Sequence, residues 1–175
     1  GKRMSALMGS VEGGEQATAW IKDFARNTPL AIADVSEAFA KLKAFGLDPM
    51  DGTLQALVDQ NEKLGGGMER LQGVVGAVGQ AWAKQKLQTE EILQLVERGV
   101  PAWDLLAEVT GKNGAALQEM ATKGELGRDV IKQLVAEIGR ASQGAAADSM
   151  STLTGQVSNL GDSWTDFLNR VAQSG

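Results

Sequence analysis

The sequence predicts an all-α protein, and three observations lead to this prediction. Apolar residues recur at intervals of three and four along most of the chain, which is the spacing of one helix face. No long segment alternates apolar and polar residues or is rich in β-branched side chains, as a strand would be. Glycine accounts for 22 of the 175 residues, above the usual ~7%, and lies mostly where the periodic segments stop. We therefore expect a compact multi-helix domain of about eight short helices bounded by glycine, with a longer C-terminal amphipathic helix in a heptad pattern.

The first part of the chain contains three of these helices. The first runs from about Glu15 to Asn27 and stops before Pro29, because the residue that precedes a proline is pushed out of the helical conformation. The second ends at Gly46, where the following LDPMDG has the composition of a turn. The third begins near Thr53 and ends at three consecutive glycines. The apolar faces comprise Ala17, Trp20, Ile21 and Phe24, then Ile32, Val35, Phe39 and Leu42, then Leu54, Leu57, Val58 and Leu64.

The fourth predicted helix, from about Met68 to Lys86, contains three glycines spaced three residues apart. Small residues at this spacing let a neighbouring helix approach closely, so we interpret Gly73, Gly76 and Gly79 as helix-packing glycines. A dinucleotide-binding fingerprint also uses spaced glycines, but it needs them between a strand and a helix. This series lies inside a helical pattern, which argues against such a site.

Four short helices are predicted between residues 89 and 140. We expect Thr89 to cap the first of them, with acidic residues in the first turn where the helix dipole favours negative charge. The break in VERGVPAWDLL predicts a packed corner: Gly99 as a left-handed helix end, Val100 buried beneath the joint, and Pro101 as the first position of the next helix. Trp103, Leu106, Ile92, Leu95 and Val96 are expected to face one another across this corner.

The last segment differs because its apolar residues keep a heptad spacing over three heptads, from about Ala145 onward. These residues are Met150, Leu153, Val157, Leu160, Trp164, Phe167 and Val171. Two interpretations stay open: the seam packs on the domain's own core, or it is a self-association seam that joins copies of the chain. Gly155 and Gly161 weaken the helix by ~1 kcal/mol each.

The apolar spacing and the heptad segment divide the chain into three predicted parts. We expect residues 1–14 to form a lead that is flexible or left over from cloning, and residues 15–143 to form the helical domain. Residues 144–173 are expected to form an amphipathic helix that packs on the domain or leads into an extended rod.

Composition excludes several classes of function. The chain has no Cys and no His, which removes disulfides, thiolate nucleophiles, zinc fingers and Ser-His-Asp catalysis. The net charge is −5 and the 17 basic residues are scattered, so we predict no direct nucleic-acid binding. The longest apolar run, GVVGAVG, is far shorter than the ~20 residues of a transmembrane helix, so no transmembrane span is predicted.

The remaining chemical motifs are weak. The sequence GKNGAA at 111–116 lacks the earlier glycine and the Ser or Thr of a phosphate-binding loop. The acidic turn at 48–59 has Met50 and Gly52 where an EF-hand needs ligands. Two carboxylate pairs, Glu90 with Glu91 and Asp104 with Glu108, could in principle perform acid/base chemistry, but they fit a helix start and a solvated face. We therefore predict no cofactor, no metal site and no enzyme activity.

Several stretches of the sequence resemble a known protein family. They are FARNTPLAIADVSEAFAKLKAFGLDP, AVGQAWAKQKLQTEEILQLVERGVPAWDLLAEVTGKNGAALQEMATKGELGRDVI and GAAADSMSTLTGQVSNLGDSWTDFLNRV. They are similar to the tape measure domain of the tail tape measure proteins of bacteriophages and prophages, over about Glu15 to Val171. The pieces GLDP at 46–49 and GVP at 99–101, in this order, are among its most specific elements. Ala31 departs from the small polar cap that the family often has before the second helix.

The resemblance implies a structural role in a phage tail. Tape measure proteins are long helical molecules that lie in several copies inside the tail tube, where their length sets tail length, and they take part in genome delivery. The implied partners are other tape measure copies and the tail tube and tip proteins, in a virion assembled in the host cytoplasm. The alternative is a generic helical adaptor that binds partner helices.

Overall fold

The computed structural model describes residues 2 to 151, and within them the chain is helical with no strand. The prediction of an all-α protein is therefore confirmed. The helices are α1 Lys2–Met8, α2 Val11–Arg26, α3 Ile32–Ala44, α4 Thr53–Lys63, α5 Met68–Lys84, α6 Thr89–Glu97, α7 Ala102–Thr110, α8 Gly114–Lys123 and α9 Arg128–Ala141. A 3₁₀ turn, Pro49–Asp51, lies between α3 and α4, and residues 145–151 are again helical.

The core lies where the predicted apolar faces meet. Helix α5 packs between α3 and α6, α4 packs on α9, and α9 also contacts α7. Ile32 and Leu64 were expected on these faces but are exposed, because each lies at a helix end where the chain turns away. Among the described residues, the largest fully buried side chains are Phe39, Leu42, Leu47, Leu54, Leu57, Leu71, Leu87, Ile92, Leu95, Leu106, Leu117 and Leu126.

The helices at the start of the chain begin earlier than predicted. Within the stretch expected to be a lead, Lys2–Met8 forms α1, which packs on α2, and α2 begins four residues before Glu15. Ser10 caps α2 by accepting a hydrogen bond from Gly13 N at 2.9 Å. Gly14 lets α1 approach, since a Cβ there would lie 2.7 Å from Ser5 Cα. Ser10 is the sequence signal that could have located this helix start.

The corner after α6 has the expected geometry with two corrections, at Val96 and at Pro101. Gly99 has φ +87, and the amides of Gly99 and Val100 donate to Val96 O and Leu95 O, both at 3.0 Å. This is the hydrogen-bond pattern of a Schellman helix end, and Val100 is buried beneath it. Val96, expected to lie in the same packed corner, is exposed.

Pro101 precedes α7 instead of being its first residue. Its φ of −77 and ψ of 66 are those of an inverse γ-turn, and Ala102 N donates to Val100 O at 2.8 Å. The γ-turn closes before the helix starts, so α7 begins one residue later than predicted. Ala31 likewise precedes α3 with no capping hydrogen bond from its side chain.

Gln85, which ends α5, is the one residue other than glycine that has a positive φ, of 65°, in the described part of the chain. A side chain in this conformation costs about 1–2 kcal/mol. Gln85 is exposed, so little packing would be lost with its side chain. We expect Gln85→Gly to stabilise the protein by about 1 kcal/mol, measured as a higher urea midpoint at unchanged m. A lower midpoint would contradict this assignment of strain.

Candidate functional site

The structure describes one residue of the predicted heptad seam, Met150. It is half-buried and lines a cleft of about 310 Å³ together with Asn27, Ala147 and Ser151. The other six residues of the seam lie outside the described residues. The self-association seam therefore stays a prediction, and its first residue, Met150, shares a cleft with Asn27, the residue that ends α2.

Polar side chains of α4 hold the chain just before this seam. Ala146 N donates to Asp59 Oδ1 at 2.9 Å, and Ser142 Oγ donates to Gln60 Oε1 at 2.8 Å. Lys63 Nζ donates to Ala141 O at 2.9 Å. Asp59, Gln60 and Ser142 are all buried. Sequence reasoning missed this cluster, because polar residues on an amphipathic helix usually face solvent and only their burial shows otherwise.

The three glycines of α5 face side chains from the helices on either side. A Cβ added to Gly73 would lie 1.6 Å from Arg98 Nε, and one added to Gly79 would lie 2.3 Å from Phe45 Cδ2. At Gly76 it would lie 3.3 Å from Lys41 Nζ. The glycines therefore make room for Lys41 of α3 and for Phe45 and Arg98, which end α3 and α6, and their role as helix-packing glycines stays a prediction.

The acidic turn is occupied by local hydrogen bonds. Asp48 Oδ1 accepts from Met50 N at 2.9 Å, and Asp51 Oδ1 accepts from Thr53 N at 3.1 Å. Asp51 also pairs with Lys132 of α9. Burial alone would raise the pKa of Asp51, but hydrogen bonds from Lys132 and Thr53 outweigh it and hold this pKa below its ordinary value. The turn therefore links α4 to α9.

The predicted pair of Glu90 and Glu91 is separated by burial. Glu91 is fully buried and Glu90 is exposed. Lys84 Nζ donates to Glu91 Oε2 at 2.8 Å, and Gln88 N donates to Glu91 Oε1 at 3.1 Å. Gln88, and not Thr89, is the capping residue of α6. Glu91 therefore joins the end of α5 to the start of α6.

Glu108 has its partner on α9 instead of at Asp104. Arg140 Nε donates to Glu137 Oε2 at 2.9 Å, and this interaction with Arg140, together with a hydrogen bond from Glu108, lowers the pKa of Glu137 to about 2. The same contact with Glu137 raises the pKa of Glu108 above its ordinary value. Glu108 therefore keeps its proton to a higher pH than Glu137 does.

We expect carboxyl NMR titration to show Glu137 ionising near pH 2 and Glu108 ionising above the ordinary value of about 4.3. Because the pKa of Glu137 is lowered on folding, its contribution to stability is present above about pH 4.3 and is lost as the pH falls towards 2. Arg140→Gln should raise the pKa of Glu137. An unchanged titration in this variant would show that Arg140 is not the cause.

Two other kinds of site are absent from residues 2 to 151. No group of three or more Asp and Glu side chains in this range is placed to hold a metal ion. None of the helices in it is both long and apolar enough to cross a membrane.

Comparison with known proteins identifies the family. The tape measure protein family matches residues 1–173. The chain is 45% identical over 175 residues to the Mu-like prophage FluMu protein gp42 of Haemophilus influenzae, covering 99% of this chain and 27% of that protein. It is 26% identical over 159 residues to a probable tape measure protein of Escherichia phage Mu, covering 90% of this chain and 23% of that protein.

A probable tape measure protein of Lactococcus phage p2 is 29% identical over 122 residues, covering 66% of this chain and 11% of that protein. The chain thus spans about a quarter or less of the length of these relatives. No solved structure matches it significantly. The family match covers almost the full chain, and a prophage protein is 45% identical to it. The described residues of the chain are helical. The chain therefore belongs to the tape measure protein family of phage tail structural proteins.

Proposed function

We propose that the chain is a folded module of a longer tape measure protein, contributing to tail assembly and length determination and taking part in genome ejection. The observation that carries this proposal is the family match over residues 1–173. In this proposal the module is built into the virion tail and is assembled in the cytoplasm of the bacterial host.

The helical packing supports a compact module instead of a rod. An α-helix rises ~1.5 Å per residue, so residues 11 to 141 as a single helix would measure ~200 Å. Packed into a globule, the same residues span only ~40 Å. The short helices fold back on one another, as in the packing of α4 on α9. The module therefore occupies one place along the ruler, and the helix that begins at residue 145 leads towards extended structure.

Tail length is the direct test. In the phage that carries this gene, we would delete the codons for residues 11–141 from the full-length tape measure gene and measure tails by electron microscopy. A compact module predicts shortening by about 40 Å, whereas an extended one predicts about 200 Å. If no tails form, the module is required for assembly. Tails of unchanged length would contradict a contribution to length.

We further propose that copies of the chain associate through the predicted heptad seam, and that tail tube and tip proteins contact the assembled copies. No direct nucleic-acid contact is proposed, in line with the net charge of −5. Support for the seam is the strict heptad spacing from Met150 to Val171.

Sedimentation of the full chain tests the seam. Replacing Val157 and Trp164 with aspartate should abolish self-association, because a charge in an apolar seam is desolvated without a partner. The matched control replaces Ser158 and Thr165, which lie one position outside the heptad seam, with aspartate and should leave association unchanged. If the unsubstituted chain is already monomeric, the interpretation in which the seam packs on the domain's own core is favoured instead.

We also propose that the module is not an enzyme. Two of the four candidate carboxylates support this view, because each has a structural contact. Glu91 is fully buried against Lys84, and Glu108 Oε2 lies 3.9 Å from a guanidinium nitrogen of Arg140.

A further inference from the structure

The helix that begins at residue 145 lacks a cap from its own sequence. The preceding residue is Gly144, whose carbonyl accepts the first helical hydrogen bond, from Asp148 N at 2.9 Å. Glycine has no side-chain oxygen to accept a hydrogen bond from the first amides, as Ser, Asp or Asn would. Asp59 supplies that oxygen from α4, accepting from Ala146 N at 2.9 Å in a buried position. The cap is therefore a tertiary contact.

We infer that α4 is a latch: Asp59 holds the helix of residues 145 to 151 against the domain, Gln60 and Lys63 hold the turn before it, and this latch opens without unfolding the domain. The carboxylate suits this role, because a negative charge near a helix N-terminus is stabilised by the helix dipole. A hydrogen bond to a charged group is also stronger than one between neutral groups. Gln55 Nε2 donates to the same carboxylate oxygen of Asp59 at 3.2 Å and orients it.

The latch is separable because little apolar surface holds it. Among residues 145 to 151, Ala146 alone is buried, and Met150 is half-buried. Helices α3 and α5, by contrast, bury large side chains such as Phe39 and Leu71 completely. Segments with few buried apolar contacts open at lower free energy than the core. For the described residues 145 to 151, opening would break the hydrogen bond from Ala146 N to Asp59 and expose the Ala146 methyl group and the buried part of Met150, while the core stays closed.

The latch also positions Met150, the first residue of the predicted seam. Met150 lies four residues after Ala146, one turn along the same helix, so fixing Ala146 fixes the start of the seam. Its consequence for tail assembly rests on the proposed function, but the latch itself does not. The latch can therefore be tested on the isolated full chain, without assembled phage tails.

Spin-label distances measure the latch directly, and the absence of Cys allows labels at chosen positions. Asn27 and Ser151 are exposed and line the same cleft, so N27C and S151C labels should give one short, narrow distance distribution. Asp59→Ala should broaden it and move it to longer distances. Asp48→Ala, which also removes a carboxylate that caps a backbone amide, is the matched control and should leave the distribution narrow.

Hydrogen exchange gives the second measurement. In Asp59→Ala, amides of residues 145 to 148 should exchange about 10- to 100-fold faster, the range expected for loss of a hydrogen bond to a charged group. Amides of α3 and α5 should change less than twofold. Ser142→Ala, which removes only the hydroxyl that bonds Gln60, should show the same pattern more weakly. Equal acceleration in α3 and α5, an unfolded Asp59→Ala chain, or an unchanged distance distribution would each overturn the latch.

Discussion

Lys84→Met is expected to destabilise the domain by about 3 kcal/mol. Lys84 is the cationic partner of Glu91, whose side chain is fully buried, and their Nζ and Oε2 atoms are 2.8 Å apart. Removing one member of a buried ion pair costs about 3–5 kcal/mol, because the other charge stays buried without compensation. The lower end applies here, since 29% of the Lys84 side chain is exposed and water screens part of the interaction. Urea unfolding of the full chain measures the change.

Two comparison variants separate the buried pair from ordinary surface charge. Lys123→Met breaks the pair between Lys123 and Glu119, whose side chains are 57% and 64% exposed, and should change stability by at most about 0.5 kcal/mol. Lys84→Met combined with Glu91→Met removes both charges and should recover most of the loss, since an apolar pair replaces a buried ion pair at little cost. Equal effects of Lys84→Met and Lys123→Met would show that burial of Glu91 is not the determining factor.

Gly79→Ala is expected to destabilise the domain by about 2 kcal/mol, although alanine is a better helix former by 0.5–1 kcal/mol. The new Cβ would lie 2.3 Å from Phe45 Cδ2 and 2.9 Å from its Cγ. The rigid ring of Phe45 has to move as a whole, and overpacking of this kind costs about 1–3 kcal/mol. Thermal or urea unfolding provides the measurement.

Gly114→Ala is the matched control for Gly79→Ala. Gly114 is the first residue of α8, and a Cβ there would have no neighbour within 4 Å. This substitution should stabilise the chain by about 0.4–1 kcal/mol by restricting the unfolded state. Adding Phe45→Leu to Gly79→Ala should restore part of the lost stability, because the two sites are coupled through contact. If both alanine variants stabilise the protein, α5 has no close neighbour at Gly79.

Part of the fold could be predicted from local sequence patterns. The corner at Gly99 was predicted because a left-handed helix end and a following proline leave a short-range signal. The place of Pro101 was missed by one residue, because the γ-turn at this position depends on the φ and ψ of the folded chain. Helix α1 was missed because the seven residues Lys2–Met8 are too short to show a repeated apolar period.

The sequence by itself determined the helical class, most helix ends and the family, since these follow from spacing, from glycine and proline, and from an ordered set of motifs. Only the tertiary structure decided which polar residues are buried. Asp59 and Glu91 look like solvated charges along the chain, yet one caps a distant helix and the other joins two helices. The physical reason is that a charge is buried only where its partners come together in space, and those partners can be far away in sequence, as Ala146 is from Asp59.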